Sequence, residues 1–195
     1  MKRIAALGTT PLFLTLIACG GGDAGTDEAP AGAATEEAPP AAAAEAAPAD
    51  WFQIDEGAQT VTLNVIAGST PDNNTWNFNG YYNGNATVTV PEGYTVTVNF
   101  TNQDQNMAHS VGVDERTGNF PPNISEPAPV FAGAISSNPT SLTEATMPGE
   151  SESFTFTADA AGNYSLVCYI PGHAVTGMWI HFNVSSDGSS GISTM

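Results

Sequence analysis

The chain has 195 residues, of which three are Lys or Arg and twenty are Asp or Glu, so its formal net charge is −17 at pH 7. This composition excludes the basic surface that nucleic-acid binding requires, because phosphates are contacted mainly by Lys and Arg. The acidity suits either solubility in a salty medium or attraction of a basic partner, and composition alone does not separate these two.

The first eighteen residues predict an export signal. Lys2 and Arg3 form a basic start, and the apolar run from Leu12 to Ala18 is too short to span a bilayer. The next residue, Cys19, completes a Leu-Ile-Ala-Cys sequence that resembles a bacterial lipobox. This resemblance implies that Cys19 is acylated and anchors an exported protein to the membrane, facing the periplasm or the cell exterior. The alternative is an ordinary signal peptide followed by a chance cysteine.

Residues 19–50 predict a disordered tether behind the lipidated Cys19. After that cysteine they consist of Ala, Pro, Gly, Glu, Asp and Thr, so they cannot bury enough apolar surface to offset the entropy of ordering. As a flexible coil such a segment reaches roughly 30 Å, and fully extended it approaches roughly 100 Å. If Cys19 is acylated, Cys168 has no cysteine left to pair with, which favours a role as a metal ligand.

From residue 51 to 185 the pattern changes and predicts one all-β domain, a Greek-key β-sandwich. Short runs of alternating apolar and polar residues lie between turn sequences and predict the strands 61–65, 86–90, 94–100, 153–157, 163–168 and 178–184. Residues 114–148, rich in Pro, Asn and Ser, predict a long irregular excursion that covers a sheet edge. Residues 186–195 are expected to form a flexible tail.

A candidate metal site is indicated by Cys168, His173 and Met178, spaced C-x4-H-x4-M, together with His109 far upstream. Two imidazoles, one thiolate and a weak axial thioether are the ligand set of a blue-copper electron-transfer site. Strand alternation turns Cys168, Met178 and His109 toward the core, whereas His181 has the opposite parity and should face solvent. We expect His173, on the loop between two strands, to form the solvent-exposed edge of the site.

The same residues suggest several alternatives to copper electron transfer. Zinc rarely accepts a thioether ligand. A copper nitrite reductase or multicopper oxidase would need several more imidazoles, and only His181 remains, so no enzymatic activity is predicted. An extracytoplasmic copper carrier or storage protein stays open, although Met107 and Met147 are scattered rather than clustered. A metal-free adhesive domain would leave the cysteine loop unexplained.

The segment from residue 163 to residue 179 resembles the copper loop of the cupredoxins, the blue type 1 copper proteins. Its spacing is similar to that of the sulfocyanins and rusticyanins, and residues 77–84 and 99–110 are also similar to sulfocyanins. The likeness extends over residues 60–184, so most of the predicted domain takes part in it.

This resemblance implies a cupredoxin-like fold that binds one type 1 copper ion through His109, Cys168, His173 and Met178. It also implies a membrane-tethered, monomeric carrier of single electrons, with redox proteins such as a cytochrome or a terminal oxidase as partners. Ser110, directly after the first histidine, is implied to form a hydrogen bond toward the cysteine loop.

Overall fold

Nine β-strands form the framework of residues 50–195, which are the residues that the computed structural model describes. The predicted signal peptide, Cys19 and the predicted tether up to residue 49 lie outside the described residues. The strands are β1 (Phe52–Asp55), β2 (Thr60–Ala67), β3 (Ala86–Pro91), β4 (Thr95–Asn102), β5 (Gly112–Asp114), β6 (Ser151–Thr157), β7 (Gly162–Val167), β8 (Trp179–Ser185) and β9 (Gly191–Thr194). A single 3-10 turn, Asp72–Thr75, lies between β2 and β3.

The strands form two mixed sheets, which confirms the predicted all-β class. One sheet has four strands in the order β1-β2-β4-β6, and the other has five in the order β5-β7-β8-β3-β9. Strand β2 runs parallel to β4 and β3 runs parallel to β8, while the remaining pairs are antiparallel. Parallel neighbours cannot be joined by a tight hairpin, so the chain crosses between the sheets.

A continuous apolar core lies between the sheets because the strands alternate between buried and less buried residues. In β8, for example, Ile180, Phe182 and Val184 are buried and the residues between them are partly exposed. Phe156 of the first sheet packs edge-to-face on Phe182 of the second, with ring centroids 6.0 Å apart. A slip of one residue would turn this entire face to solvent, so burial fixes the register of the strands that lead to the site.

The C-terminal residues differ from the predicted flexible tail. Gly191–Thr194 form strand β9, which pairs with β3 at the edge of the five-stranded sheet. The tail orders because Ile192 is buried in the core opposite Val88, an apolar contact that the short Gly- and Ser-rich sequence conceals. The folded part therefore extends to residue 194 rather than ending at 185.

The excursion at residues 114–148 runs along the other edge of that sheet. Its backbone bonds to strand β5, with the Val130 amide donating to the Val113 carbonyl and the Val113 amide donating to the Ala134 carbonyl. Phe131 anchors it in the core, stacked on Phe156 at 5.5 Å. The excursion thus covers an edge strand that would otherwise present unpaired backbone groups. Among residues 50–195, no helix has the length and apolar character needed to span a bilayer.

Candidate metal centre

Three of the four predicted ligands bring their donor atoms together at one end of the sandwich. The Cys168 Sγ lies 3.5 Å from His173 Nδ1 and 3.9 Å from His109 Nδ1. The three donor atoms all lie within 4.8 Å of one another, and the three residues are buried. Cys168 lies 59 residues after His109 and 5 residues before His173. The fold thus brings one soft sulfur and two imidazole nitrogens into a single cluster.

Met178 is held beside these residues by backbone hydrogen bonds. Its carbonyl accepts from the Cys168 amide at 3.1 Å, and its amide donates to the His173 carbonyl at 2.9 Å. The Met178 side chain is fully buried in the core. The loop between β7 and β8 therefore closes on itself and places all three of its predicted ligands at the same end of the two strands.

Gly177 lets this loop approach a distant segment. Its φ is +107°, and a Cβ at this position would clash with the Asn83 side-chain oxygen. The Gly177 carbonyl accepts the Asn83 amide at 2.8 Å. A residue with a side chain would be strained and would displace Asn83, so glycine is required directly before Met178.

Asp104 fixes the orientation of His109. Its Oδ2 atom lies 3.0 Å from His109 Nε2, and the carboxyl group is almost fully buried. Burial alone would raise the pKa of Asp104, but hydrogen bonds from Thr75, the Asn106 amide and His109 outweigh burial and hold that pKa below its ordinary value. The carboxylate can only accept, so His109 Nε2 carries the proton and Nδ1 keeps a free lone pair toward Cys168.

Gly68 makes room for the backbone of Asp104. A Cβ on Gly68, whose φ is +69°, would lie 2.7 Å from the Asp104 backbone nitrogen. Asp104 stands only five residues before His109 in the sequence, but it was not among the predicted site residues. A carboxylate shortly before a candidate histidine ligand is the signal that could have identified it, because metal-binding histidines commonly donate their second nitrogen to a carboxylate.

Ser110 contacts the cysteine in the way that the family resemblance implies. Its amide lies 3.5 Å from Cys168 Sγ, and its hydroxyl oxygen lies 3.7 Å from the same sulfur. The hydroxyl oxygen also accepts the Tyr169 amide at 2.9 Å, which ties the two segments of the site together. These donors favour the charged thiolate form of Cys168 over the neutral thiol, against the opposite effect of burial.

The prediction that His173 forms the solvent-exposed edge is wrong. His173 is only 1% exposed, because the indole of Trp76 covers its ring with a centroid distance of 4.1 Å and an interplanar angle of 20°. Trp76 is half-buried and lies just after the 3-10 turn. His181 stays apart from the metal cluster, partly exposed on β8 and edge-on to Trp179, as its parity predicts.

The titration behaviour of the cluster is set mainly by burial. Burial lowers the pKa of His173 to about 3, with a smaller effect of the neighbouring His109 in the same direction. Burial also lowers the pKa of His109, although Asp104 opposes this. Burial raises the pKa of Cys168 to about 11. Without a cation the cluster therefore holds two neutral imidazoles and a thiol.

The donor set fits copper. A metal ion would replace the thiol proton and take the two Nδ1 lone pairs that converge on the sulfur. His173 Nε2, on the far side of that ring, has no hydrogen-bond partner among the described residues. Zinc fits less well, because the nearest carboxylate, Asp104, is turned to His109 Nε2 instead of to the cluster.

Comparisons with known proteins point the same way. A sequence-family model described as a sulfocyanin (SoxE) domain matches residues 49–193. A sulfocyanin from Sulfolobus acidocaldarius is 34% identical over 125 residues, covering 62% of this chain and 61% of the relative. A rusticyanin from Acidithiobacillus ferrooxidans is 36% identical over 98 residues, covering 49% of this chain and 57% of the relative. The chain thus spans less than two thirds of the length of either relative.

Similar solved structures include rusticyanins and an auracyanin. A solution structure of reduced rusticyanin covers 70% of this chain and 86% of that chain, with 24% identity and a TM-score of 0.45. A dithionite-reduced auracyanin from Roseiflexus castenholzii covers 64% of this chain and 96% of that chain, with 24% identity and a TM-score of 0.41.

Proposed function

Since the chain belongs to the sulfocyanin family of cupredoxins, we propose that it binds one type 1 copper ion and carries single electrons between redox proteins. Sulfocyanin and rusticyanin are electron carriers rather than enzymes, which agrees with the prediction that this chain has no enzymatic activity. The observation that carries the proposal is the convergence of Cys168 Sγ with the Nδ1 atoms of His109 and His173 in a buried cluster.

We propose that His109, Cys168 and His173 would be the strong copper ligands and that Met178 would be a weak fourth one. Copper, when bound, would supply a centre that accepts and returns one electron. The protein contributes rigidity: the ligands stand at the ends of strands whose register is fixed by the core, and the loop that bears three of them is closed by its own backbone bonds. Ligands that move little keep the reorganisation energy of electron transfer small.

The surroundings of the cluster favour the reduced, less charged state of the site. Cys168, His173 and Met178 are almost completely buried, and residues 166–184 contain no Asp or Glu. The one nearby carboxylate, Asp104, already interacts with His109 and Thr75. An apolar shell and a weak thioether ligand would both raise the reduction potential of a copper ion bound here.

The proposed cellular setting is a lipid anchor at Cys19 followed by a tether up to residue 50. The basic start, the apolar run and the lipobox-like sequence support export and anchoring, with the copper domain facing the periplasm or the cell exterior. A tether of this length would let the domain move between membrane-bound partners. A cytochrome or a terminal oxidase is the class of partner we propose, for a carrier that acts as a monomer.

A copper-loaded sample of residues 50–195 tests the central proposal. The wild type should show an intense visible band from thiolate-to-copper charge transfer and should cycle reversibly between one-electron oxidised and reduced states. Cys168→Ser should remove the band while circular dichroism still reports the β-sheets. A wild type that binds copper without this band would instead favour copper transport or storage, and an intensely blue Cys168→Ser variant would refute the ligand assignment.

A further inference from the structure

The segment Asp72–Trp76 contacts His173 directly and reaches His109 through Asp104, although it lies more than thirty residues upstream of either histidine. Its central residues Asn73, Asn74 and Thr75 have φ values of 49°, 58° and 64°. Asparagine tolerates this left-handed conformation, but a β-branched threonine is rarely found in it. Such strain persists only where surrounding contacts impose it, and it is concentrated at functional sites.

One arm of this segment reaches His109. The Thr75 hydroxyl donates to Asp104 Oδ2 at 2.5 Å, and the same oxygen lies 3.0 Å from His109 Nε2. Asp104 is 3% exposed, so its contact with His109 is buried and its contact with Thr75 is partly buried. The strained Thr75 is therefore separated from the His109 ring by a single buried carboxylate oxygen.

The other arm reaches His173. The Trp76 ring lies nearly parallel to that imidazole, 4.1 Å away, and shields it from solvent. Trp76 Nε1 is buried and has no hydrogen-bond partner among the described residues. A buried indole normally finds an acceptor, so the contacts that hold this ring are its stack on His173 and its packing against the core.

The backbone of the segment is held by hydrogen bonds that do not involve the two histidines. The fully buried Asn77 donates through Nδ2 to the carbonyls of Thr70 and Asp72, each at 2.9 Å. Asn73 Nδ2 donates to the Trp76 carbonyl at 2.8 Å. These bonds fix the left-handed turn, so Thr75 and Trp76 extend from a rigid backbone.

We propose that Asp72–Trp76 is a clasp that fixes the orientation of both histidine rings, His109 through Thr75 and Asp104, and His173 through Trp76. The clasp acts in the metal-free protein as well as in the loaded one. Thr75 and Trp76 are both positioning residues: Trp76 stacks on His173, and Thr75 acts on His109 through Asp104. The effect of the clasp on copper release rests on the proposed copper site, whereas its effect on the two histidine rings does not need a metal.

The first test uses metal-free protein and NMR signals of the two imidazoles. In the wild type the His173 ring protons should be shifted upfield by the Trp76 ring, with relaxation that reports a rigid side chain. Trp76→Leu should remove that shift and increase the mobility of His173, whereas Trp76→Phe should preserve most of both. Thr75→Gly should mobilise His109, whereas Thr75→Ser, which keeps the hydroxyl, should not.

Thr75→Gly also separates positioning from ordinary stability. Glycine relieves the left-handed strain, whereas the lost hydrogen bond to Asp104 and the added entropy of the unfolded chain act against it, so this variant should show only a modest fall in its denaturant midpoint. It should nevertheless release copper to a chelator at least about tenfold faster, the scale on which outer contacts alter metal affinity. Trp51→Leu is the matched control for losing a tryptophan, because Trp51 packs on Tyr81 and on neither histidine.

The outcomes are distinct for the clasp and for the copper site. The clasp is overturned if the imidazole signals of Trp76→Leu and Thr75→Gly match those of the wild type, or if copper release in all variants simply follows their stability as in Trp51→Leu. A wild type that forms no blue copper site would refute the proposed function, while the metal-free NMR comparison would still decide the clasp.

Discussion

The metal-free protein should lose stability as the pH falls from 7 to 4.5, because the folded state keeps the His173 imidazole neutral while the unfolded state can protonate it. Burial lowers the pKa of His173 to about 3, whereas the unfolded chain titrates at the ordinary value of 6.5. Between these values the unfolded chain binds a proton that the folded chain does not, so acid favours unfolding and stability is complete only above 6.5.

The size of the loss follows from the pH window. At pH 4.5, two units below the ordinary pKa and still above the folded one, His173 alone should reduce the free energy of unfolding by about 3 kcal/mol. His109 acts in the same direction because burial lowers its pKa as well. The pKa of Asp104 is held below its ordinary 3.8, so its stabilisation is lost only at lower pH, outside this window.

Urea unfolding of the metal-free domain at pH 7 and pH 4.5 measures the effect. His173→Gln should lose about 3 kcal/mol less than the wild type between the two pH values, since all other titrating groups are shared. His181→Gln is the matched control, because it removes an imidazole that is partly exposed on β8. Equal pH dependence in the wild type and His173→Gln would refute the reasoning, as would an equally reduced dependence in His181→Gln.

Three further outcomes are expected. Met178→Leu should still bind copper and should raise the reduction potential measured by redox titration, because a donor to the oxidised ion is lost; an unchanged potential would place the thioether away from copper. Cys19→Ser should move the full-length protein from the membrane to the soluble fraction, because stable anchoring depends on the acyl chains; persistence with membranes would contradict lipid anchoring. The stopped-flow rate of electron transfer to a basic cytochrome should change little as the salt concentration rises, since residues 166–184 carry no Asp or Glu. A steep fall would instead show charge-guided docking.

The sequence was sufficient for the parts of the fold that depend on local pattern. Period-two alternation predicted the strands that carry the core, and it turned Cys168 and Met178 inward together, as the structure shows. It did not predict β9, because Gly191–Thr194 contain one apolar residue and depend on pairing with β3 for their order. Short edge strands carry too little pattern of their own to be recognised.

The surroundings of the candidate site were harder to predict than its ligands. Trp76 lies almost a hundred residues before His173, and only the left-handed turn at Asn73–Thr75 directs it onto that ring. The two asparagines hint at such a turn, but nothing local indicates that a threonine would join it. The expectation of an exposed His173 failed for the same reason, since it considered the loop alone without what packs over it.

The close contact between Gly177 and Asn83 limits how far the copper loop can be treated as a transferable module. The loop is contiguous in sequence, which invites replacement by a loop of different length from another copper protein. Its last turn, however, interlocks with a segment nearly a hundred residues away, where the Gly177 carbonyl accepts the Asn83 amide and no side chain fits between them. A graft that alters this turn must therefore redesign the Asn83 segment with it, and variation at the two positions should be correlated across homologous chains.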